Sequence, residues 1–440
     1  MIPVYTRFLA VSDYGRLALY QSLAGVLSTT LLWGTTASLA SFYHFTEYRD
    51  RFDQIKENTL RFLLVVNLVV IVALFGAGRA VGTNPVLTGL VLTIAYFATV
   101  RSVQGVYFVH SNRAVSQFAL TVGFSLISAL SVIGALMFLP QYNTVTRVFT
   151  ALAISGLLFF IGICAGNRFY LRTDTDWSLV RAVLLFGLPI LPHALSQWIL
   201  NFADRAMLRY YLDYSEVGLY SLGYNFGMVM LVFLSAINTS WGPTFMKIAE
   251  NDPNAREVLA RLALQIWQTF CLGAAFYLLW INEAIVVSTP SSYHSAISLS
   301  KWIVLGYLVY GSYLLVANGL FVARKSKIVP LATMSGAAVN VLLNILLIPT
   351  YGIMGAVVAT MVSFAVMAIL IHVLAERHYP LGIDLRSLLS AAILPAVAFV
   401  ISVFLDEGYG WITRSLWKVG LTALMVVYAY GKIQRKSKPA

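Results

Sequence analysis

Residues 8–22 read FLAVSDYGRLALYQS, and residues 211–225 read YLDYSEVGLYSLGYN. Aligned without gaps at an offset of 203, the two segments share four identical residues and one acidic position at the same spacing. The matched pairs are Leu9/Leu212, Ser12/Ser215, Asp13/Glu216, Gly15/Gly218 and Leu19/Leu222. A shorter match joins Pro140–Tyr142 to Pro349–Tyr351 at an offset of 209. Together the matches predict an internal repeat.

The composition around this repeat is that of a membrane protein. Hydrophobic residues make up 59% of the 440-residue chain and charged residues 11%, against about 25% charge in an ordinary soluble protein. A membrane-spanning helix needs roughly 20 predominantly apolar residues, and thirteen stretches qualify. They are 17–41 (A), 62–81 (B), 86–109 (C), 115–139 (D), 147–166 (E), 181–203 (F), 217–245 (G), 261–284 (H), 298–322 (I), 328–349 (J), 352–375 (K), 387–405 (L) and 411–431 (M). The sequence therefore predicts an all-α integral membrane protein and gives no sign of a nucleic-acid partner.

Positive charges predict the orientation. The chain has 30 Lys and Arg residues. The loops after spans A, C, E, G, I, K and M hold 20 of them and the opposite side holds 9, while Arg101 lies within span C. Because cytoplasmic loops carry the basic excess, residues 432–440 are predicted to be cytoplasmic. With thirteen spans, the N-terminus of this chain is then extracytoplasmic.

The repeat organises the spans into lobes. It places A opposite G and E opposite K, six spans apart, and an even step predicts a parallel six-helix repeat. Span F precedes G and should be the first helix of the second lobe, so its partner would precede A. We therefore expect a missing N-terminal helix and fourteen spans in a complete chain. The predicted domains are an N-terminal lobe at 1–175, a C-terminal lobe at 176–378, and two additional helices with a basic tail at 379–440.

Three segments carry a family resemblance. They are YGRLALYQS at 14–22, the region of 186–224 with Pro189, Pro192, Asp204-Arg205 and EVGLYSLGY, and IPTYGIMGA at 348–356. These segments resemble polysaccharide and O-antigen flippases of the multidrug/oligosaccharidyl-lipid/polysaccharide exporter superfamily. The resemblance implies two pseudo-symmetric six-helix lobes around a central cavity, working by alternating access.

The same resemblance implies the function and the partners. The implied activity moves an oligosaccharide on undecaprenyl pyrophosphate from the cytoplasmic to the outer leaflet of a bacterial cytoplasmic (inner) membrane. Membrane lipids, a polysaccharide polymerase and a chain-length regulator are the further partners considered. The sequence has no Gly-x-x-x-x-Gly-Lys-Ser/Thr loop for a nucleotide phosphate, and it has no metal or nucleophile–base motif. We therefore expect no cofactor, no ATP hydrolysis and no enzymatic activity.

Span F carries the clearest polar pattern. Pro189 and Pro192 each remove a backbone donor and predict a helix break. Beyond them, polar residues recur at helical spacing: His193, Gln197, Asn201, and the pair Asp204 and Arg205. Such a stripe should face protein or water rather than lipid. It predicts either a cavity wall that meets sugar hydroxyls or interhelical hydrogen bonding, with Asp204 and Arg205 as a structural or gating pair.

Other candidate site residues lie on spans C, A and G. An unpaired Arg within a span is costly, so Arg101, with Gln104 one turn on, is expected to contact an anion or to reach the cytoplasmic interface by snorkelling. The repeat partners A and G add hydroxyl, amide and aromatic groups that could contact sugars or simply pack. These are Tyr20, Gln21, Tyr224 and Asn225.

Two other classes of function remain alternatives. A cation-coupled exporter of small molecules or drugs from the same superfamily would favour a carboxylate buried in mid-span, and none is evident. A membrane enzyme of polysaccharide assembly would be expected to show a long outer loop with clustered Arg and His, and the outer loops carry few such groups.

Overall fold

A computed structural model describes residues 1–139, 142–167, 175–408 and 410–437. All regular structure in these ranges is helical. The helices are α1 (Ile2–Phe8), α2 (Val11–Leu31), α3 (Thr35–Phe42), α4 (Thr46–Arg49), α5 (Phe52–Ala80), α6 (Pro85–His110), α7 (Ala114–Phe138), α8 (Thr144–Asn167), α9 (Trp177–Gly187), α10 (Leu191–Trp198), α11 (Asp204–Tyr211), α12 (Tyr214–Gly227), α13 (Val229–Asn251), α14 (Ala255–Ser288), α15 (Ala296–Val322), α16 (Ile328–His378), α17 (Leu385–Gly408) and α18 (Trp411–Ser437).

Each of the thirteen predicted spans lies on one or two of these helices, which confirms the helical membrane fold. Within the described residues, ten helical stretches are long and apolar enough to cross a membrane, with α9–α11 and α12–α13 each forming one stretch, and the bent pair α2–α3 raises that number to eleven. The difference from thirteen has two sources. Spans J and K are counted together as the single helix α16, and α18, which carries span M, is not among the eleven. Pro140, Gln141 and residues 438–440, which carry part of the shorter repeat match and of the predicted tail, lie outside the described residues.

The first compact unit comprises Met1–Gly218. Its central helix α6 packs on α2, α3, α5, α7 and α8, and the buried core includes Leu39, Ile55, Leu63 and Val103. Span A bends by 54° between α2 and α3. Gly34 makes this bend with φ of 73°, a left-handed conformation that glycine adopts without a Cβ clash.

Span F lies entirely within this first unit, and its α-helix is interrupted twice. A 3₁₀ turn over Leu188–Ile190 separates α9 from α10, and a π turn over Ile199–Ala203 separates α10 from α11. The span packs on α2, α3 and α5. Gly187 lies against the backbone of Gly34, and the Ser38 hydroxyl donates a hydrogen bond of 2.6 Å to the Val183 carbonyl oxygen. The compact unit therefore extends to residue 218, whereas the repeat predicts a lobe boundary at 175/176. Compactness and repeat membership are different properties, and the lobe boundary stays a prediction.

The second compact unit comprises Leu219–Ala440. Helix α15 is at its centre and packs on α13, α14 and α16, while α17 lies along α14. Glycines let the end of α12 approach α15 closely, because a Cβ on Gly227 would lie 2.5 Å from the Ile303 side chain. Aromatic rings, including those of Tyr307, Tyr310 and Phe364, pack together in the interior.

Helix α16 is a hairpin of two spans. Its 51 residues would measure roughly 75 Å as a straight helix, far more than the roughly 30 Å hydrocarbon core. Gly352 has φ 58° and ψ −136°, a conformation open essentially to glycine alone. The chain reverses there, so that Gly355 lies against the backbone of Leu347 and Ile348. The predicted J and K are therefore two helices joined at one non-helical residue.

Candidate substrate site in the first unit

Helix α6 positions two of the predicted site residues. The helix begins at Pro85, which is favourable at a first helical position. The Asn84 side chain caps it by accepting hydrogen bonds from the backbone N–H groups of Val86 and Leu87 at 3.0 and 3.2 Å. Arg101 and Gln104 follow one turn apart. Gln104 is only 2% exposed.

A cleft of about 610 Å³ lies between α6, α7 and α8. It is partly polar and partly apolar, and none of its lining residues carries a carboxylate. The lining residues are Gln104, Phe108, Arg113, Ser116, Ala119, Leu120, Ile127, Leu158, Phe159, Gly162 and Ile163. One basic residue, one amide and two phenyl rings thus share a single concave surface.

Arg101 is held beside this cleft by an aromatic side chain. Its guanidinium carbon lies 4.4 Å from the centroid of the Phe124 ring. That ring meets Phe159, a cleft residue, edge-on at a centroid distance of 5.2 Å. A cation over an aromatic face is attracted to it most strongly where water is excluded. Within the described residues no carboxylate pairs with Arg101, so its positive charge is balanced by no neighbouring anion.

Three buried polar atoms near the cleft have no hydrogen-bond partner among the described residues. They are Gln104 Oε1, Gln117 Oε1 and Arg101 Nε. Leaving a buried polar atom unpaired costs about 1–3 kcal/mol. A ligand rich in hydroxyl groups could donate to both amide oxygens and accept from the guanidinium. Gln117 was not predicted, because it lies in the first turn of α7, near the start of span D, where polar residues are common.

The polar stripe of span F is organised along the helix itself. Asn201 Nδ2 donates to the Gln197 carbonyl oxygen at 2.7 Å, and Arg205 Nη1 donates to the Asn201 carbonyl oxygen at 2.8 Å. Asp204 and Arg205 are buried, and His193 is partly buried. Pro189 lies in the 3₁₀ turn, and Pro192 lies in the first turn of α10. None of these residues is among those that line the cleft.

The predicted residues of spans A and G lie in different units. In the first unit, Tyr20 is partly buried and contacts Phe149 edge-on at 6.0 Å, while Gln21 is exposed. In the second unit, Tyr224 is fully buried and accepts a hydrogen bond of 3.1 Å from the Tyr307 hydroxyl. Its neighbour Asn225 is partly buried. Full burial places Tyr224 in the interior packing of its unit.

The sequence analysis missed a buried ion cluster in the second unit, which we define as Glu283, Lys301, Asp406, Arg414 and Lys418. Lys418, with a fully buried side chain, contacts Glu283 at 2.9 Å and Asp406 at 2.7 Å. Lys301 contacts Asp406 at 2.7 Å, and Arg414 Nε lies 3.2 Å from Glu283. All five residues lie near the ends of spans H, I, L and M, and the charge count placed the three basic residues on the outer side. The available signal was the occurrence of acidic and basic residues together at the ends of H, I, L and M.

The fold defines the class of protein, a multi-pass helical membrane protein. A family model described as polysaccharide biosynthesis protein matches residues 1–249, more than half of the chain. The chain therefore belongs to the polysaccharide biosynthesis protein family, as the sequence resemblance indicated.

Two curated relatives agree with this assignment. The probable low-salt glycan biosynthesis flippase Agl15 of Haloferax volcanii is 24% identical over 181 residues, which are 41% of this chain and 37% of that protein. This match therefore spans little more than a third of the archaeal relative. The Lsg locus putative protein 1 of Haemophilus influenzae is 21% identical over 345 residues, which are 75% of this chain and 81% of that protein.

Solved structures show the same fold. The lipid II flippase MurJ in its inward closed conformation superposes with a TM-score of 0.71 at 14% identity, covering 98% of each chain. A multidrug resistance MATE family transporter of the MOP superfamily, in its outward-facing conformation, gives a TM-score of 0.60 at 15% identity. That match covers 87% of this chain and 91% of the transporter. At such identities the likeness concerns the fold alone.

Proposed function

We propose that this protein moves lipid-linked oligosaccharide units from the cytoplasmic to the outer leaflet of a bacterial cytoplasmic membrane for surface polysaccharide synthesis. The family membership and the glycan flippase among its relatives support this proposal. Undecaprenyl pyrophosphate is the carrier that the resemblance implies. A polysaccharide polymerase and a chain-length regulator are the partners that would receive the product.

The observation that carries the proposal is the chemistry of the α6–α8 cleft. Its lining includes the Arg113 side chain and the amide of Gln104. Among the described residues, Gln104 Oε1 has no hydrogen-bond partner, and neither do Gln117 Oε1 and Arg101 Nε beside the cleft. Sugar hydroxyls both donate and accept hydrogen bonds, so they match this mixture. A guanidinium also matches the paired oxygens of a phosphate or a sugar carboxylate. The cleft thus suits an oligosaccharide with an anionic group.

A drug exporter is the second candidate, because MATE transporters share the fold. Such an exporter of cationic compounds would benefit from a carboxylate in its binding surface. The lining residues of the cleft include no Asp or Glu, and Arg101 and Arg113 would repel a cation. This charge pattern favours the saccharide over the cationic drug.

The finer topology belongs to the same proposal. The charge distribution favours a cytoplasmic C-terminus and an extracytoplasmic N-terminus of this chain. The internal repeat favours lobes at 1–175 and 176–378, with 379–440 as an additional pair of helices. The span F stripe and the residues Tyr20, Gln21, Tyr224 and Asn225 remain proposed substrate contacts.

Complementation of a flippase-deficient strain tests the function. Arg101→Ala should lower surface polysaccharide export by about tenfold at matched membrane abundance, because the cation in the protein interior is lost. Arg101→Lys should restore part of it, since the charge remains without the planar fork. Arg79→Ala is the matched control, because Arg79 is exposed at the end of α5. Failure of the unaltered chain to restore export would reject the proposed function, and normal export by Arg101→Ala would remove Arg101 from the site.

A further inference from the structure

The cleft of the first unit has a shallow end and a deep end, and one arginine lies at each. Along α7 its lining extends from Ser116 to Ile127, which is roughly 16 Å of helix. Arg113 lies at the shallow end, where α7 begins, and it is exposed. Arg101 contacts Phe124, one turn before Ile127, and so marks the deep end. Because basic loops favour the cytoplasm, the shallow end is assigned to the cytoplasmic face and the deep end to the membrane interior.

Arg113 is held at the shallow end by Tyr107. Its guanidinium carbon lies 5.4 Å from the centroid of the Tyr107 ring, and the Tyr107 hydroxyl donates a hydrogen bond of 2.5 Å to Asp53 Oδ1. The backbone N–H of Arg113 donates to the Phe108 carbonyl oxygen at 3.0 Å. These contacts keep the guanidinium at the end of the helix, where lipid headgroups lie. A diphosphate attached to a membrane lipid lies at the same level, and a guanidinium matches its paired oxygens.

Between the two arginines the cleft presents two hydrogen-bond acceptors. Gln104 lies one turn from Arg101 on α6, and residues at this spacing share a face of the helix. Gln117 comes from α7, and its Nε2 donates to Thr121 Oγ1 at 3.3 Å. The amide of Gln117 lies over Gly105, where an added Cβ would be 3.4 Å from its Oε1. Among the described residues neither amide oxygen has a hydrogen-bond partner, and neither does Arg101 Nε.

This arrangement selects among the anionic groups that Arg101 could bind. An ionised diphosphate only accepts hydrogen bonds, so beside Gln104 and Gln117 it would set acceptor oxygens against the amide oxygens. A uronic acid carries its carboxylate on a sugar ring whose hydroxyl groups donate. The carboxylate matches the guanidinium, and the hydroxyl groups pair the buried amide oxygens, which are costly to leave unpaired. A neutral sugar would pair the amides but leave the cation unpaired in the membrane interior, which is costly as well.

We propose that the glycan moved by this protein is acidic, with a uronic acid carboxylate on Arg101 and the diphosphate of the carrier on Arg113. The proposal rests on the proposed transport function and names the class of its substrate. The described lining residues include no Asp or Glu, so the cleft attracts anions at both of its ends. Discrimination against a neutral glycan arises from Arg101, because only the acidic glycan removes the cost of its unpaired charge.

Binding of soluble sugars tests the deep end without transport. The probes are a hyaluronan tetrasaccharide, which contains glucuronic acid, and the same tetrasaccharide with its carboxyl groups reduced to alcohols. Calorimetric titration of the protein in lipid nanodiscs should show the acidic probe binding at least about tenfold tighter, as a hydrogen bond to a charged group provides. Arg101→Gln should abolish this preference, and Arg101→Lys should keep part of it, since the charge remains.

The matched control is Arg79→Gln, which removes an exposed arginine at the end of α5 and should keep the full preference. Three results would overturn the acidic substrate. They are equal binding of the two probes, an unchanged preference in Arg101→Gln, and no binding of either probe.

Export in two flippase-deficient hosts separates the two arginines. One host builds a repeat unit with a uronic acid, and the other builds a neutral repeat unit on the same carrier. Arg101→Gln should lower export of the acidic repeat without lowering that of the neutral one, whereas Arg113→Gln should lower both, because both share the diphosphate. Equal lowering of both repeats by Arg101→Gln would assign Arg101 to the diphosphate and overturn the proposal. No export of either repeat by the unaltered chain would instead reject the proposed function, on which the calorimetric preference does not depend.

Discussion

At the scale of single residues, the ion cluster of the second unit has an unequal charge count. Lys301, Arg414 and Lys418 surround two carboxylates, Glu283 and Asp406. Removing ions from water is costly, and only close partners offset that cost. Because cations are in excess, each carboxylate has two basic neighbours. The loss of a carboxylate therefore leaves more uncompensated charge than the loss of one cation.

This excess of cations predicts that removing a carboxylate destabilises the protein more than removing a cation. Glu283→Gln should destabilise the protein by about 3–5 kcal/mol, as expected for breaking a buried pair, since Arg414 loses its carboxylate partner and Lys418 keeps only Asp406. Lys418→Met should cost less, because Glu283 keeps Arg414 and Asp406 keeps Lys301. Thermal unfolding in detergent, followed by size-exclusion chromatography, measures the midpoints.

The matched control for this series is Glu257→Gln on the same helix. Its side chain is 75% exposed and pairs with Arg261, and an exposed pair contributes only about 0–1 kcal/mol. Equal midpoints for Glu283→Gln and Glu257→Gln would show that the cluster adds nothing to stability.

At the scale of elements, span F packs closely on α3 at its first segment and is interrupted by two turns further along. Its first segment approaches α3 closely because both Gly34 and Gly187 lack a side chain. Two turns of non-α geometry then separate its three helical segments. Kinks of this kind arise at proline and at π turns, and π turns are frequent at functional sites. The two turns are therefore the points at which the polar end of the span can differ in direction from its docked first segment.

The docking predicts a sharp effect of one methyl group. Gly187→Ala would place a Cβ 2.5 Å from the Gly34 carbonyl oxygen and 2.7 Å from Ser38 Oγ. We expect a loss of about 1–3 kcal/mol, the usual range for overpacking, seen as a lower unfolding midpoint. Gly134→Ala on α7, with open space around it, should be neutral or slightly stabilising, because alanine favours helix. A midpoint of Gly187→Ala equal to that of Gly134→Ala would contradict the close contact.

At the scale of the whole molecule, the sequence predicts the helices well and their partners poorly. Hydropathy locates every span because lipid permits no unpaired backbone. The assignment of span F to a compact unit depends on Gly34 and Gly187, which are distant in sequence and share no pattern. Arg101 and Gln104 could be singled out because polar residues inside a span are rare. Gln117 and the ion cluster could not, because near span ends charged and polar residues are common.

The orientation of the whole chain is a prediction of its own. Cysteine at Ser12, in a background lacking Cys164 and Cys271, should react with an impermeant thiol reagent applied to intact cells. Cysteine at Ser437 should react only after the cells are permeabilised, because the basic residues around it favour the cytoplasm. The reverse pattern of labelling would invert the topology.

The hairpin at Gly352 has a consequence for how the protein is made. Only one non-helical residue joins the two halves of α16, so no loop separates the first crossing from the return. We therefore expect the two halves to leave the insertion machinery together, as an antiparallel pair. A β-branched residue at Gly352 disfavours the left-handed backbone conformation. Such a substitution should therefore lower the amount of protein inserted in the membrane, whatever its effect on transport.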